Sequence, residues 1–326
     1  MFLLILLAGI YIFYFPMSYK ADPPITIKIA PGMGFSQVTD SLIAKGIPVN
    51  KSLFKMAALF YGAEKRIKAG KYKIPGNLSY LDILDYLTGS KAEKSYLIDL
   101  YPGISVNGVI NRLKGMGIVN DSVFVKLLSD TNYINKLTSG SKSFEGYLFP
   151  GRYIFYKNSN EKEVLEEITD SLFTFISGIK HLIDSSGMSL HEVLTLASIV
   201  NAESFHRSEM PTIAGVYLNR LKKGMRLQAD PTVQYAMPER KKRLSFADLK
   251  FDSPYNTYLY DGLPPGPINN PGKDAILAVL KPEEHKFLYF CANPQGKHEF
   301  SETYSEHLRN ARIYQEWLNS KNITLQ

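Results

Sequence analysis

Glu203 is the residue in this sequence best placed for acid–base chemistry. It closes the run Ser189–Ser204, SLHEVLTLASIVNAES, which reads as one amphipathic helix. Val193, Leu196, Ala197 and Val200 recur on one face at spacings of three and four, and Glu203 is the next position on that face. Ser189 with Glu192 makes a capping-box pattern and Met188 with Val193 a hydrophobic staple, so the helix start is well marked. An ionised carboxyl beside packed aliphatics loses hydration, and the negative end of the helix dipole disfavours it further. Its pKa is therefore expected to rise toward neutrality, where a carboxylic acid still holds a proton to donate. The plainer reading has Glu203 ending the helix and turning into solvent, and spacing alone leaves both open.

Other polar residues follow. Residues 208–223 read as a second helix, with Ser208 as cap, Pro211 in the first turn and Gly224 just past the end. If 225–230 is extended, Gln228 and Asp230 point the same way and can face a cleft with Asn219 behind them. Loop hydrogen bonding is the alternative for these residues. Asn256 and the stretch 262–272, with four prolines and three glycines, read as a rigid binding loop, because proline restricts the chain in advance. Glu145 lies in Phe144-Glu145-Gly146-Tyr147, where Gly146 marks a turn. A glutamate in a turn is ordinarily solvated, and its aromatic neighbours fit either a sugar-stacking wall or core.

Three other chemistries find no residues to carry them. His181, His191, His206, His285, His298 and His307 show no metal-ligand spacing with carboxylates or cysteine, so no metal is expected. No glycine-rich phosphate loop follows a strand, so no nucleotide cofactor is implied. A serine nucleophile elbow is missing as well. Cys291, the single cysteine, cannot form an internal disulfide, and Leu288–Ala292 reads as a buried strand in which its thiol is core.

The stretch Ala197-Ser198-Ile199-Val200-Asn201-Ala202-Glu203-Ser204 resembles the catalytic signature of the MltG or YceG-like family of endolytic murein transglycosylases. Further blocks appear in family order: Glu145–Pro150, Asn219–Leu221, Gly224–Val233, Ser253–Tyr258, Gly262–Ile268 and Asn270–Gly272. Gly296–Phe300 and His307 extend the match through the C-terminal half. The resemblance implies cleavage of the β-1,4 bond between N-acetylmuramic acid and N-acetylglucosamine in peptidoglycan strands, with 1,6-anhydro ends and no cofactor. It makes Glu203 the catalytic acid and Glu145 a residue that positions substrate or Glu203. It also implies penicillin-binding synthases as partners and a LysM-like subdomain near the N-terminus. A hydrolytic muramidase using Asp230 or Glu145 as second carboxyl, and a non-catalytic wall-binding scaffold, are the alternatives.

The elements that must position these residues form an α+β chain of 326 residues, of ordinary globular composition with 45% hydrophobic and 21% charged residues. Its net charge of +7 is spread out rather than clustered, which argues against a nucleic-acid groove. Met1–Tyr19 carries no charged side chain and is near the ~20 residues that cross a bilayer, so residues 1–19 are expected to be a membrane anchor. A cleaved signal peptide is the competing reading. Wall substrate then requires a single pass in the cytoplasmic membrane with the catalytic part outside. Residues 22–137 repeat a strand, Pro-Gly turn and helix three times, at 25–46, 72–87 and 96–113, with Ser79 and Ser105 as caps of the last two. Residues 121–137 read as a connecting helix, 138–143 as a polar break, and 138–326 as the catalytic domain. Within it, 161–183 reads as one long helix, 274–280 as a short one, 287–301 as a hairpin around Gly296, and 304–318 as the closing helix.

Overall fold

The computed structural model describes residue 11 and residues 13–321, with residues 90, 158, 205 and 242 left out. Most of the expected anchor therefore lies outside the described residues. Among those described, no helix is long and apolar enough to cross a membrane. The end of the apolar run packs on folded protein: Met17 N–H donates to Leu78 O at 3.0 Å, and the Tyr19 hydroxyl to Pro75 O at 2.9 Å. The chain divides into two compact units, residues 1–97 with 154–159, and residues 98–153 with 160–326. The polar run 138–143 lies within the second unit. The fold is α+β, with small two-stranded sheets among helices.

In the first unit β1 (Ile25–Ile29) pairs antiparallel with β2 (Gly70–Ile74), Ile25 opposite Ile74 and Ile29 opposite Gly70. Alternation puts Ile27, Ile29, Tyr72 and Ile74 on one buried face, where they meet three helices. These are α1 (Phe35–Ala44), α2 (Lys51–Tyr61) and α3 (Tyr80–Thr88). The three-fold repeat overlooked α2, which Asn50 caps through Ser52 N and Leu53 N and Gly62 ends at φ 65°. That helix buries Phe54, Ala57 and Ala58 in the same core. Ser79 caps α3 in a box with Asp82, as expected. Next, β3 (Ser95–Leu100) pairs with β4 (Gly151–Tyr156), a strand the sequence reading did not contain.

The second unit opens with α4 (Val106–Gly115), capped by Ser105. The helix expected over 121–137 is two, α5 (Asp121–Ser129) and α6 (Thr131–Thr138), because the Asp130 side chain accepts from Asn132 N and Tyr133 N and restarts the helix. The helix expected over 161–183 also breaks, at Ile179, into α7 (Glu161–Gly178) and α8 (Lys180–Ser186). Gly178, a weak helix former, precedes the break.

The centre is α9 (Leu190–Glu203), and it is not amphipathic. Val193, Leu194, Thr195, Leu196, Ala197, Ser198, Ile199 and Val200 are all buried, so the helix is surrounded rather than laid on a surface. It packs against α10 (Met210–Lys222), α11 (Asp230–Ala236) and α12 (Lys273–Leu280). Ser208 does not cap α10; residues 207–209 form a 3₁₀ turn and Glu209 is buried. Its carboxylate accepts from His298 N at 2.9 Å and Ser204 Oγ at 3.3 Å, and pairs with His298 Nδ1 at 3.1 Å, so a tertiary anchor replaces the local cap. His298 belongs to β6 (His298–Ser301), which pairs antiparallel with β5 (Tyr289–Ala292) before α13 (Tyr304–Ser320). Cys291 lies in β5 but is half-buried, not core.

Gly146 turns the chain at φ 89°, and a Cβ there would come within 2.4 Å of the Pro267 ring. Gly146→Ala is expected to lower unfolding stability by at least about 1–3 kcal/mol from backbone strain alone, read as a drop in the urea midpoint.

Candidate active site

Glu203 ends α9 beside α10, where the Tyr217 hydroxyl donates to Glu203 Oε1 at 2.6 Å. The residue keeps some accessible surface, but its carboxyl is crowded by protein. Burial pushes the Glu203 pKa up to about 7, against the Tyr217 hydrogen bond, which favours the charged form; Asp230 raises it further and Arg220 lowers it. The Tyr217 hydroxyl is held well above its usual range by burial and by the carboxylate it faces. Arg220 is itself pinned, Nε donating to Leu288 O at 2.6 Å and Nη1 to Leu227 O at 2.5 Å.

Asp230 opens α11 and is exposed, and its Oδ1 accepts from the Tyr258 hydroxyl at 2.6 Å. Burial and the Asp230 hydrogen bond raise the Tyr258 pKa, and Glu203 adds to the rise. Two carboxyl–phenol pairs, Glu203–Tyr217 and Asp230–Tyr258, thus sit within reach of each other's charge. Glu203 and Asp230 are the two sequence-identified residues that the fold brings together in this way.

The remaining candidates are placed differently. The segment before Asp230 is not extended: Gln228 adopts φ 49° and its N–H bonds Thr257 O at 3.0 Å, so Gln228 and Asp230 do not share a strand face. Gln228 is exposed. Asn219 Nδ2 donates to His285 O at 2.8 Å and Phe287 O at 3.1 Å, which ties the approach to β5 onto α10. Asn256 is fully buried; its Nδ2 donates to Leu249 O and Phe251 O, and its Oδ1 accepts from Tyr258 N. Both asparagines therefore spend their amides on backbone, and Asn256 holds the loop that delivers Tyr258.

Glu145 is 6% exposed rather than solvated. It accepts from Val106 N, the first turn of α4, at 3.1 Å and from Asn270 Nδ2 at 3.4 Å. Burial raises its pKa to about 7, opposed by the Val106 hydrogen bond. Asn270 also donates to Ile104 O at 2.8 Å and accepts from Leu148 N at 2.9 Å. The proline-rich loop is laced to α9: Ile268 N donates to Ser198 Oγ at 3.0 Å, Asn269 Nδ2 to Ser198 O at 2.8 Å, and Gly272 N to Asn201 Oδ1 at 3.1 Å.

The sequence reading missed Tyr217, Arg220 and Tyr258 as neighbours of the acid. Tyr217 and Arg220 share a face of α10 at i, i+3, which was the available signal. No group of three or more metal-binding side chains occurs among the described residues.

A profile of the YceG-like family matches residues 27–313. The chain belongs to the YceG-like family. It is 28% identical over 322 residues to a protein of Bacillus subtilis named endolytic murein transglycosylase, covering 94% of this chain and 88% of that one. It is 26% identical over 361 residues to the endolytic murein transglycosylase of Streptococcus pneumoniae, covering 98% of this chain but 64% of that one. The structure of a YceG-like protein from Listeria monocytogenes superposes with a TM-score of 0.62 at 30% identity, covering 87% of this chain and 98% of that chain.

The electrostatics of this YceG-like site can be read directly. In ¹³C NMR of protein labelled at glutamate carboxyls, the Glu203 resonance, identified by its loss in Glu203→Gln, is expected to titrate near pH 7. Because Tyr217 favours the ionised form, Tyr217→Phe moves that midpoint to higher pH; a downward or absent shift would contradict the arrangement.

Proposed function

We propose that this chain is an endolytic peptidoglycan lytic transglycosylase that cleaves the bond between N-acetylmuramic acid and N-acetylglucosamine and leaves 1,6-anhydro ends. The observation that carries the reading is Glu203: a carboxyl held near pKa 7 by burial, with one oxygen engaged by Tyr217, in a chain of the YceG-like family. The relatives' name, endolytic murein transglycosylase, supports it.

In the protonated acid Oε1 accepts from Tyr217 and Oε2 carries the proton. Glu203 gives that proton to the glycosidic oxygen as the bond breaks, and the N-acetylglucosamine side leaves as an alcohol. The resulting carboxylate takes the proton of the muramyl C6 hydroxyl, whose oxygen closes on C1. Glu203 is reprotonated, and no water enters the product. A pKa near 7 suits a group that must both give and take a proton.

Asp230 favours a second reading. Ordinary glycosidases use two carboxyls, one of them to activate water or to act as nucleophile, and Asp230 lies close enough to raise the Glu203 pKa. A hydrolytic muramidase would use it so. The transglycosylase reading assigns Asp230 instead to orient Tyr258 and bias Glu203 toward its acid form.

The apolar run at 1–19 holds the enzyme on the outer face of the cytoplasmic membrane, residues 22–137 include a LysM-like module, and penicillin-binding synthases supply nascent strands. Carbonate-washed membranes are expected to retain the full chain, with external protease reaching the sites after Asp22; a soluble mature form beginning near Ala21 would overturn the anchor.

For the reaction, Glu203→Gln is expected to lose about 10²–10⁴ in rate with its fold intact. Muropeptides from wild-type digestion in ¹⁸O-water are expected to end in unlabelled 1,6-anhydro sugars. Reducing muramic acid ends carrying ¹⁸O would make Asp230 the water-activating group.

A further inference from the structure

We infer that a cavity of about 490 Å³ beneath the 138–143 loop is a distal subsite for the same glycan strand. The inference rests on the peptidoglycan reading of Glu203. Ser141, Glu145, Tyr147, His191, Tyr255 and Pro267 are among its walls, and Glu203 is not. The cavity lies at the opposite end of α9: from His191 to Glu203 is twelve residues, roughly 18 Å of helix.

The walls are rigid before any ligand arrives. His191 Nε2 meets Pro265 O at 2.9 Å, and a carbonyl only accepts, so Nε2 carries a hydrogen; in the neutral ring Nδ1 then accepts from the Tyr147 hydroxyl at 3.0 Å. Pro267 fills the space beside Gly146. Gly266 keeps the cavity open, since a Cβ there would stand 3.3 Å from the His191 ring and 3.5 Å from the Tyr255 hydroxyl.

Phenols lie both beside the acid and at the cavity. Tyr258 bonds Asp230 and feels Glu203. Three residues earlier in the same loop, Tyr255 is raised by burial and then by the charge of Glu145. The Tyr235 ring, centred 4.9 Å from that of Tyr255 near the far end of α11, responds to Glu145 as well. Phenol faces and hydroxyls suit successive sugar rings. Stem peptides carry free carboxylates and amines that need paired charges, whereas Glu145 and His191 in the lining are already engaged, by Val106 N and Asn270 and by Tyr147 and Pro265 O, which leaves hydroxyls, prolines and the exposed Lys142. Sugars several residues from the scissile bond therefore occupy the cavity.

The test compares kcat/KM on long glycan strands stripped of stem peptides with kcat/KM on a tetrasaccharide. Gly266→Ala narrows the cavity from within, and Lys142→Trp, an exposed substitution, plugs it from the rim should the first variant fold poorly. In both, the long-to-short ratio is expected to fall about tenfold, the scale of a lost pocket contact. An unchanged ratio in a folded variant would overturn the subsite, as would a loss seen only when stem peptides are present. Reducing ends in place of anhydro ends would overturn the transglycosylase reading alone, since the length ratio can be read on either product.

Discussion

The enclosure of α9 is the constraint on which the second unit depends. A helix buried on every side must satisfy its polar side chains internally, and it does: Thr195 Oγ1 donates to His191 O, and Ser198 Oγ to Thr195 O. Ser198 also accepts from the backbone of the proline-rich loop, so the same hydroxyl that satisfies the helix fixes the loop across it. Asn201, one turn on, accepts from Gly272 at the loop's end. The only ionisable side chain on α9 beyond its first turn is then Glu203, at the point where the packing ends.

Magnitudes decide what happens to that carboxyl. A rise from 4.5 to about 7 corresponds to roughly 3 kcal/mol disfavouring the charged form. That net rise already includes the Tyr217 hydrogen bond, which favours the charged form by about 1.5–3 kcal/mol, so the burial it opposes is larger than the net. Arg220 adds to the stabilisation, but its guanidinium is committed to Leu288 O and Leu227 O and does not form a direct ion pair with the acid. A free arginine against Glu203 would have held it ionised and useless as a donor.

The placement of the acid was legible in the sequence because it depends on local periodicity: the capping box at Ser189, the apolar positions and Glu203 fall in register on one helix. The same periodicity hid that α9 is buried all round, since a stripe that is apolar on one face and small or weakly polar on the others looks amphipathic until its neighbours are known. Helix breaks at Asp130 and Ile179 were missed because the apolar pattern continues across them. Asn219 was read as backing a cleft and Asn256 as part of a rigid binding loop, yet both amides donate to backbone carbonyls: Asn219 to His285 O and Phe287 O, which only tertiary structure brings near, and Asn256 to Leu249 O and Phe251 O within its own loop. Tyr217 lies fourteen residues from Glu203, and no local pattern links them.

Glu145 and Glu203 show why a raised pKa does not by itself make a catalytic acid. Burial lifts both to about 7. Glu145, however, takes a hydrogen bond from the first turn of α4 and another from Asn270, whose amide also binds Ile104 and Leu148. Its carboxyl is thereby part of the lock that joins α4, the Gly146 turn and the proline-rich loop, and moving a proton there would disturb all three. Glu203 is held by a single phenol, which can follow either protonation state. The difference lies in how many backbone segments each carboxyl supports, and the proposed acid is the one that supports the fewest.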